Sequence, residues 1–148
     1  MNRLNRLLPI FCVSFILAQV DDGSQAKPTA AVLDFDGSGI TTQEAEVLTQ
    51  RLGSELVQTN ALIMVERNQM SEIMDEQGFQ QAGCTSAECA AEIGALLGVQ
   101  KMITGSFGKI GNSYTIEARM FTVESGKTEK TVSKTYKGEV DGLLTEIQ

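Results

Sequence analysis

The sequence predicts one α/β domain, a mixed sheet of about five strands with helices packed on it. Two apolar runs, Ala30–Leu33 and Ala61–Val65, flank a helical pattern, which is the order of a strand–helix–strand unit with parallel strands. After Lys101 the apolar residues recur at every second position, the period of a strand. A chain of 148 residues is long enough for one such domain with a modest core.

Residues 1–18 have the pattern of a cleaved secretory signal, with two arginines before the apolar run Leu7–Leu17 and a cleavage point after Ala18. The run has eleven residues, too few to cross a bilayer. An uncleaved anchor is the alternative, because Ile16 is a poor residue at its position before the cleavage point. Cys12 lies inside the apolar run and does not follow small residues, which argues against lipid attachment.

The net charge argues against two classes of partner, nucleic acid and anionic lipid surfaces. It is −7 for the whole sequence and −9 once the signal and its two arginines are removed. Binding to nucleic acid or to an anionic lipid surface needs a clustered basic footprint, which this balance does not favour. Residues 19–28 are polar and predict a flexible lead-in to a domain over residues 29–148.

Two cysteines, Cys84 and Cys89, follow the predicted signal, and we expect them to form a structural disulfide because such a signal directs the chain out of the cytoplasm. The chain-entropy argument gives about 2 kcal/mol for so short a loop. Two thiolates without a histidine cannot complete a zinc shell. Four residues separate the two cysteines, whereas a redox pair of the C-x-x-C type has two between them.

Capping signals place the first helix and the second. Thr41 and Glu44 fit the capping box that opens a helix, and the apolar stripe continues to about Thr59. Asn68 is the expected cap of a short second helix that ends at Gly78.

A third helix is expected to start near Ser86, with Thr85 and Glu88 as a second capping box, and to end at Gly98. Its apolar residues are Cys89, Ala90, Ile93, Leu96 and Leu97.

The last third predicts an antiparallel meander and a closing helix. Lys101–Ile110 is the first strand, and Gly111-Asn112 is a tight-turn signal before the alternating strand that starts at Ser113. Residues 127–136 form a polar strand whose lysines suit an exposed sheet edge. Asp141 is the expected cap of a final helix. The predicted order is β-α-β-α-α-β-β-β-α.

The segment Asp34–Gly39 (DFDGSG) resembles two functional motifs. In a calcium loop, Asp34, Asp36 and Ser38 would be ligands, but the required Glu position falls on Ala45. In a haloacid-dehalogenase-like phosphatase, Asp34 would be the nucleophile and Asp36 the acid/base, but no second acidic pair for Mg²⁺ follows. The simplest interpretation is a strand-to-helix turn.

Other features argue against an enzyme. The glycines of Gly105–Gly111 lie between two strands, so no helix N-terminus is available to bind a phosphate there. The sequence contains no histidine, the commonest general base. The methionines are expected in the core, with an adaptable binding surface as the alternative. We expect no catalytic residues, no cofactor, no metal site and no small-molecule substrate.

Several segments in this order resemble one family. The segments are AVLDFDGSGI, LIMVERNQMSEIMDEQGF and GCTSAECAAEIGALLGVQKMITGSFGKIGNSYTIEARMFTVESGK, and the likeness covers about residues 29–138. They are similar to the CsgG family, which includes the periplasmic domain of the curli secretion channel. The family shares a fold with the amino-terminal domain of TolB and with LpoB.

The resemblance implies a periplasmic binding or assembly domain that docks with cell-envelope proteins, with self-association through a sheet edge or helix face as a further option. The alternative is a subunit of an outer-membrane secretion complex. Here the lipid-attachment cysteine and the long barrel-forming hairpins of the curli channel are missing. The expected location is the periplasm, with association at the outer membrane as an option.

Overall fold

The computed structural model describes residues 26–78 and 86–148, so the predicted signal, most of the lead-in and Cys84 lie outside the described residues. One mixed sheet contains all the strands. They are β1 (Thr29–Val32), β2 (Asp36–Ser38), β3 (Ile63–Met64), β4 (Lys101–Ile110), β5 (Ser113–Thr122) and β6 (Lys127–Lys137).

Within the described residues, four α-helices pack on this sheet. They are α1 (Thr42–Gln58), α2 (Arg67–Glu76), α3 (Ala87–Leu97) and α4 (Leu143–Glu146), the last preceded by a 3₁₀ turn at Val140–Gly142. The α/β class and the predicted order of elements are confirmed, with β2 as the one strand that the sequence did not predict.

The strand order is β3-β1-β4-β5-β6, and β2 pairs with β4 beyond the end of β1. The pairs of β1 with β3 and with β4 are parallel, whereas β4, β5 and β6 form the predicted antiparallel meander. The turn expected over Asp34–Gly39 is therefore wrong in part, because Asp36–Ser38 is a short strand whose backbone pairs with Ser106–Gly108. Pairing with a distant strand satisfies backbone groups that a free turn would leave to water.

The core has two layers, one on each face of the sheet, because the side chains of a strand alternate between its faces. On the first face, α2 and α3 cover a cluster that includes Leu33, Met74, Ile93 and Met102. On the second face, α1 and α4 cover a cluster that includes Val32, Leu48, Phe107, Ile116 and Leu143.

Local signals placed several helix ends correctly. Thr41 Oγ1 accepts a hydrogen bond from the Glu44 N–H at 3.2 Å, and Glu44 Oε2 accepts one from the Thr41 N–H at 2.7 Å, so the capping box is confirmed. Gly98 ends α3 with a φ of 66°. The hairpin turn between β4 and β5 contains Gly111 with a φ of 59°.

Two predicted helix caps differ, although α3 begins at Ala87, as expected for a start near Ser86. The cap of α2 is Glu66, without a side-chain hydrogen bond, and not Asn68, because the second strand is shorter than its apolar run and the chain turns earlier. The cap of α3 is Ser86, whose hydroxyl accepts from the Cys89 N–H at 3.2 Å, while Thr85 lies outside the described residues.

Candidate functional site: an apolar groove on the sheet

The two acidic residues of the DFDGSG segment have different partners. The Asp34 carboxylate is ion-paired with the guanidinium of Arg67, which joins the end of β1 to the first turn of α2. Asp36 lies in β2, paired in register with Ser106. Ala45, at the Glu position of the calcium motif, is a buried core residue on α1.

No metal site is formed by the described residues: residues 26–78 and 86–148 contain no group of three or more His, Cys, Asp or Glu side chains that could hold an ion. The glycine-rich segment lies in β4 and its hairpin. At Gly105 an added Cβ would lie 2.5 Å from the Phe35 ring and 2.0 Å from the Glu117 carbonyl oxygen, so this glycine serves close packing. The Cys84–Cys89 disulfide stays a prediction.

A crevice of about 490 Å³ lies where β1 and β3 end, between α1 and α2. This is where ligands bind in many open α/β sheets. Arg67 is its cationic residue, and its guanidinium is already ion-paired with Asp34.

A second concave surface has a different character. It is a groove of about 450 Å³ on the second face of the sheet, between the C-terminal half of α1, the end of α4 and strand β6. We call it the apolar groove. Most of its surface comes from aliphatic side chains, among them Leu52, Leu56, Ile103, Ile116, Met120, Val132 and Ile147.

The base of the apolar groove belongs to the core, whereas its β6 side is open. Ile103 and Ile116 are buried, while Met120 is half-buried and Val132 is 53 % exposed. The alternation predicted for β5 is thus confirmed, and β6 adds Val132 opposite Ala118 on the same face. Met70, Met74 and Met102 fill the core as expected, whereas Met120 lines the groove.

Strand β6 is the edge of the sheet, as predicted, and it is basic. It carries four lysines and one glutamate in a chain whose net charge is −7. Lys130 and Lys134 lie opposite Met120 and Ile116, and so on the groove face. The Lys134 ammonium donates to the Glu146 carbonyl oxygen at 2.7 Å, which ties the end of α4 to the edge strand.

The pairing of β6 with β5 is interrupted by a β-bulge. Lys130 lies opposite Met120 and Thr128 opposite Phe121, so Glu129 is the extra residue. The Glu129 carboxylate accepts a hydrogen bond from Lys101, and this bond, more than any other contact, lowers the pKa of Glu129. Bulges and lysines both discourage another strand from pairing with an edge.

Sequence reasoning did not find the apolar groove. Two sequence features point to it, the alternation in β5 and the single valine among the polar residues of β6. They do not suffice, because the packing of α1 and α4 decides which strands stay uncovered. None of the helices in the described ranges has the length and apolar character of a membrane span.

Comparisons with known proteins identify a family. The sequence profile of the family described as the curli production assembly/transport component CsgG matches residues 16–132. A comparison with curated proteins finds no significant match.

Solved structures share the fold. The LpoB C-terminal domain from Escherichia coli has a TM-score of 0.63 and 18 % identity, and the match covers 78 % of this chain and 87 % of that one. A PelC dodecamer from Paraburkholderia phytofirmans has a TM-score of 0.54 and 12 % identity, and the match covers 81 % of this chain and 80 % of the PelC chain. TolB from Acinetobacter baumannii has a TM-score of 0.51 and 10 % identity, and the match covers 81 % of this chain and 25 % of TolB. The resemblance predicted from the sequence is confirmed at the level of family and fold.

Proposed function

Because the chain belongs to the CsgG family, the family of the curli production assembly/transport component, we propose that it is a non-enzymatic binding and assembly module of the cell envelope. The observation that carries this proposal is the apolar groove beside a basic edge strand. Contiguous apolar surface that is open to solvent and bordered by polar residues is typical of interaction sites.

The arrangement of the acidic residues supports a binding role over catalysis. A phosphatase of the predicted type needs the carboxylate of Asp34 free to attack phosphorus. Here that carboxylate is ion-paired with Arg67. The family and its structural neighbours also point to the envelope, which agrees with the predicted export signal and a periplasmic location.

Site-specific photo-crosslinking tests the proposal. A photoreactive amino acid is placed at Val132 in the mature protein, and the protein is incubated with a periplasmic extract. We expect a single defined adduct with an envelope protein. The matched control carries the same group at Ser133, the neighbouring residue on the opposite face of β6, and should give none. The absence of any adduct from either position would refute the docking role.

A second candidate is a subunit of a ring in a secretion complex. The charge distribution favours it: β6 is basic, while α2, which follows the opposite edge strand β3, carries three acidic residues and one arginine. Such asymmetry suits head-to-tail contacts between copies, which form a ring when the rotation from one copy to the next closes. The PelC structure is a dodecamer on a similar fold. Light scattering of the mature protein separates the candidates, because only this one requires a large homo-oligomer.

A further inference from the structure

We propose that the apolar groove binds one amphipathic helix of an envelope protein, with an aliphatic stripe against the sheet and carboxylates beside the lysines of β6. This inference rests on the proposed docking function and specifies the chemistry of the partner. Three properties of the groove support it: the space on the sheet, the aliphatic lining and the charge of the β6 side.

The sheet face has room for one more helix over β5 and β6. Strands lie about 4.8 Å apart and a helix with its side chains is about 10 Å wide, so one helix covers about two strands. The α1 backbone lies closest to β2 and β3, and its Leu52 and Leu56 side chains form one wall of the apolar groove. Helix α4 and the 3₁₀ turn before it have seven residues together and span about 12 Å, whereas the ten residues of β5 span about 33 Å.

The lining selects an aliphatic partner surface. The groove side of β5 and β6 presents Met120 and Val132 to solvent in part, next to the buried Ile116. Covering exposed aliphatic area stabilises a complex by roughly 25 cal/mol per Å² before the costs of association. A polar strand or a hydrated ligand would gain little there.

The lysines of β6 favour a partner helix with acidic side chains along one flank. Lys130 and Lys134 lie on the groove face of β6, and Lys134 is held in place by its hydrogen bond to the Glu146 carbonyl oxygen. Acidic side chains along one flank of a docked helix would lie beside these ammonium groups. Charge complementarity of this kind sets orientation and partner choice.

Other occupants fit less well. A strand added to β6 would meet the bulge at Glu129 and the row of lysines. A small apolar ligand needs enclosure over most of its surface, and the β6 side, where Val132 is 53 % exposed, does not supply it.

The probes are two synthetic helical peptides with the same leucine stripe, one flanked by glutamates and one by lysines. Binding to the mature protein is measured by titration, and amide chemical shifts locate the bound peptide. We expect saturable binding of the glutamate peptide, with chemical-shift changes at Met120 and Val132. The lysine peptide should bind at least about tenfold more weakly, because its charges turn two attractive contacts, each partly screened by solvent, into repulsive ones.

Matched variants on one strand test the surface. Val132→Glu should weaken binding of the glutamate peptide by about tenfold or more, and Ser133→Glu, on the opposite face, by less than about twofold. Lys130→Glu should likewise weaken it more than Lys137→Glu, whose side chain alternates to the other face. Circular dichroism confirms that each variant is folded.

Three results would overturn the inference: equal affinity for both peptides, equal effects of Val132→Glu and Ser133→Glu, or a homodimer that Val132→Glu dissociates, since the occupant would then be a second copy. If neither peptide binds while the crosslink from Val132 to an envelope protein persists, the helix proposal fails and the docking function stands.

Discussion

At the scale of single residues, the clearest local device is the capping box at the start of α1. The Thr41 backbone N–H and hydroxyl both donate to the Glu44 carboxylate, at 2.7 and 2.8 Å. These two hydrogen bonds, the backbone one first, lower the pKa of Glu44 below its ordinary value. The ionised carboxylate is therefore favoured in the folded state.

The lowered pKa predicts how Glu44 contributes to stability with pH. A carboxyl group whose folded-state pKa is depressed stabilises the fold above its unfolded pKa, about 4.5, and this contribution is lost as the pH falls through the folded value. Glu44→Gln should thus lower the melting temperature at neutral pH, and its difference from the unaltered protein should shrink below about pH 4.5.

Thermal melts between acidic and neutral pH check this prediction. Glu46→Gln removes one exposed carboxylate from the same helix and is the control. A Glu44→Gln difference that stays constant across this range would show that the carboxylate charge contributes nothing to the cap. Thr41→Ala removes the hydroxyl and should cost about 1 kcal/mol.

At the scale of elements, two helical glycines have opposite surroundings. A Cβ added at Gly94 on α3 would lie 2.4 Å from Val123 Cγ2 and 2.6 Å from Met102 Cγ. A Cβ added at Gly53 on α1 would meet no atom within 4 Å. Gly94 therefore sets how closely α3 approaches β4, while Gly53 has no packing role.

These surroundings predict opposite effects of alanine. Gly53→Ala should raise the free energy of unfolding by roughly 0.5–1 kcal/mol, because alanine favours the helix. Gly94→Ala gains the same propensity but overpacks the core, which costs about 1–3 kcal/mol, so it should be net destabilising. Urea denaturation measures both, and the difference between the variants isolates the packing cost. If both alanines stabilise equally, the close approach of α3 is not required.

The sequence predicted the elements that local interactions form and missed those that need contacts between distant parts of the chain. Helix α1 and strand β5 were predicted because a capping box, a 3.6-residue stripe and a two-residue alternation are local signals. Strand β2 was not, since Asp36 and Gly37 disfavour strands and only pairing with β4 forms one. The apolar groove has the same origin: four residues of α4 cover one end of β5, and only the packed structure shows it.

At the scale of the whole molecule, two charge effects act against each other. The net charge of −7 makes copies repel one another and keeps the chain soluble. The lysines of β6 make that net charge less negative and so weaken the repulsion. They also lie on the edge strand, whose free side could pair with another copy. If their role is to guard the edge, removing them should promote association even though it increases the overall repulsion.

A triple variant decides between these effects. Lys127, Lys130 and Lys137 are changed to threonine, and Lys134 is kept because it binds the end of α4. The net charge of this variant is −10, which increases the repulsion between copies. Because threonine favours strands, we nevertheless expect light scattering to show concentration-dependent association of the variant, whereas the unaltered protein stays a monomer. The control changes the same lysines to glutamate, giving −13, and should stay monomeric because the edge is again charged. A monomeric threonine variant would show that net charge alone keeps copies apart, and a ring-sized mass for the unaltered protein would favour the secretion-complex subunit.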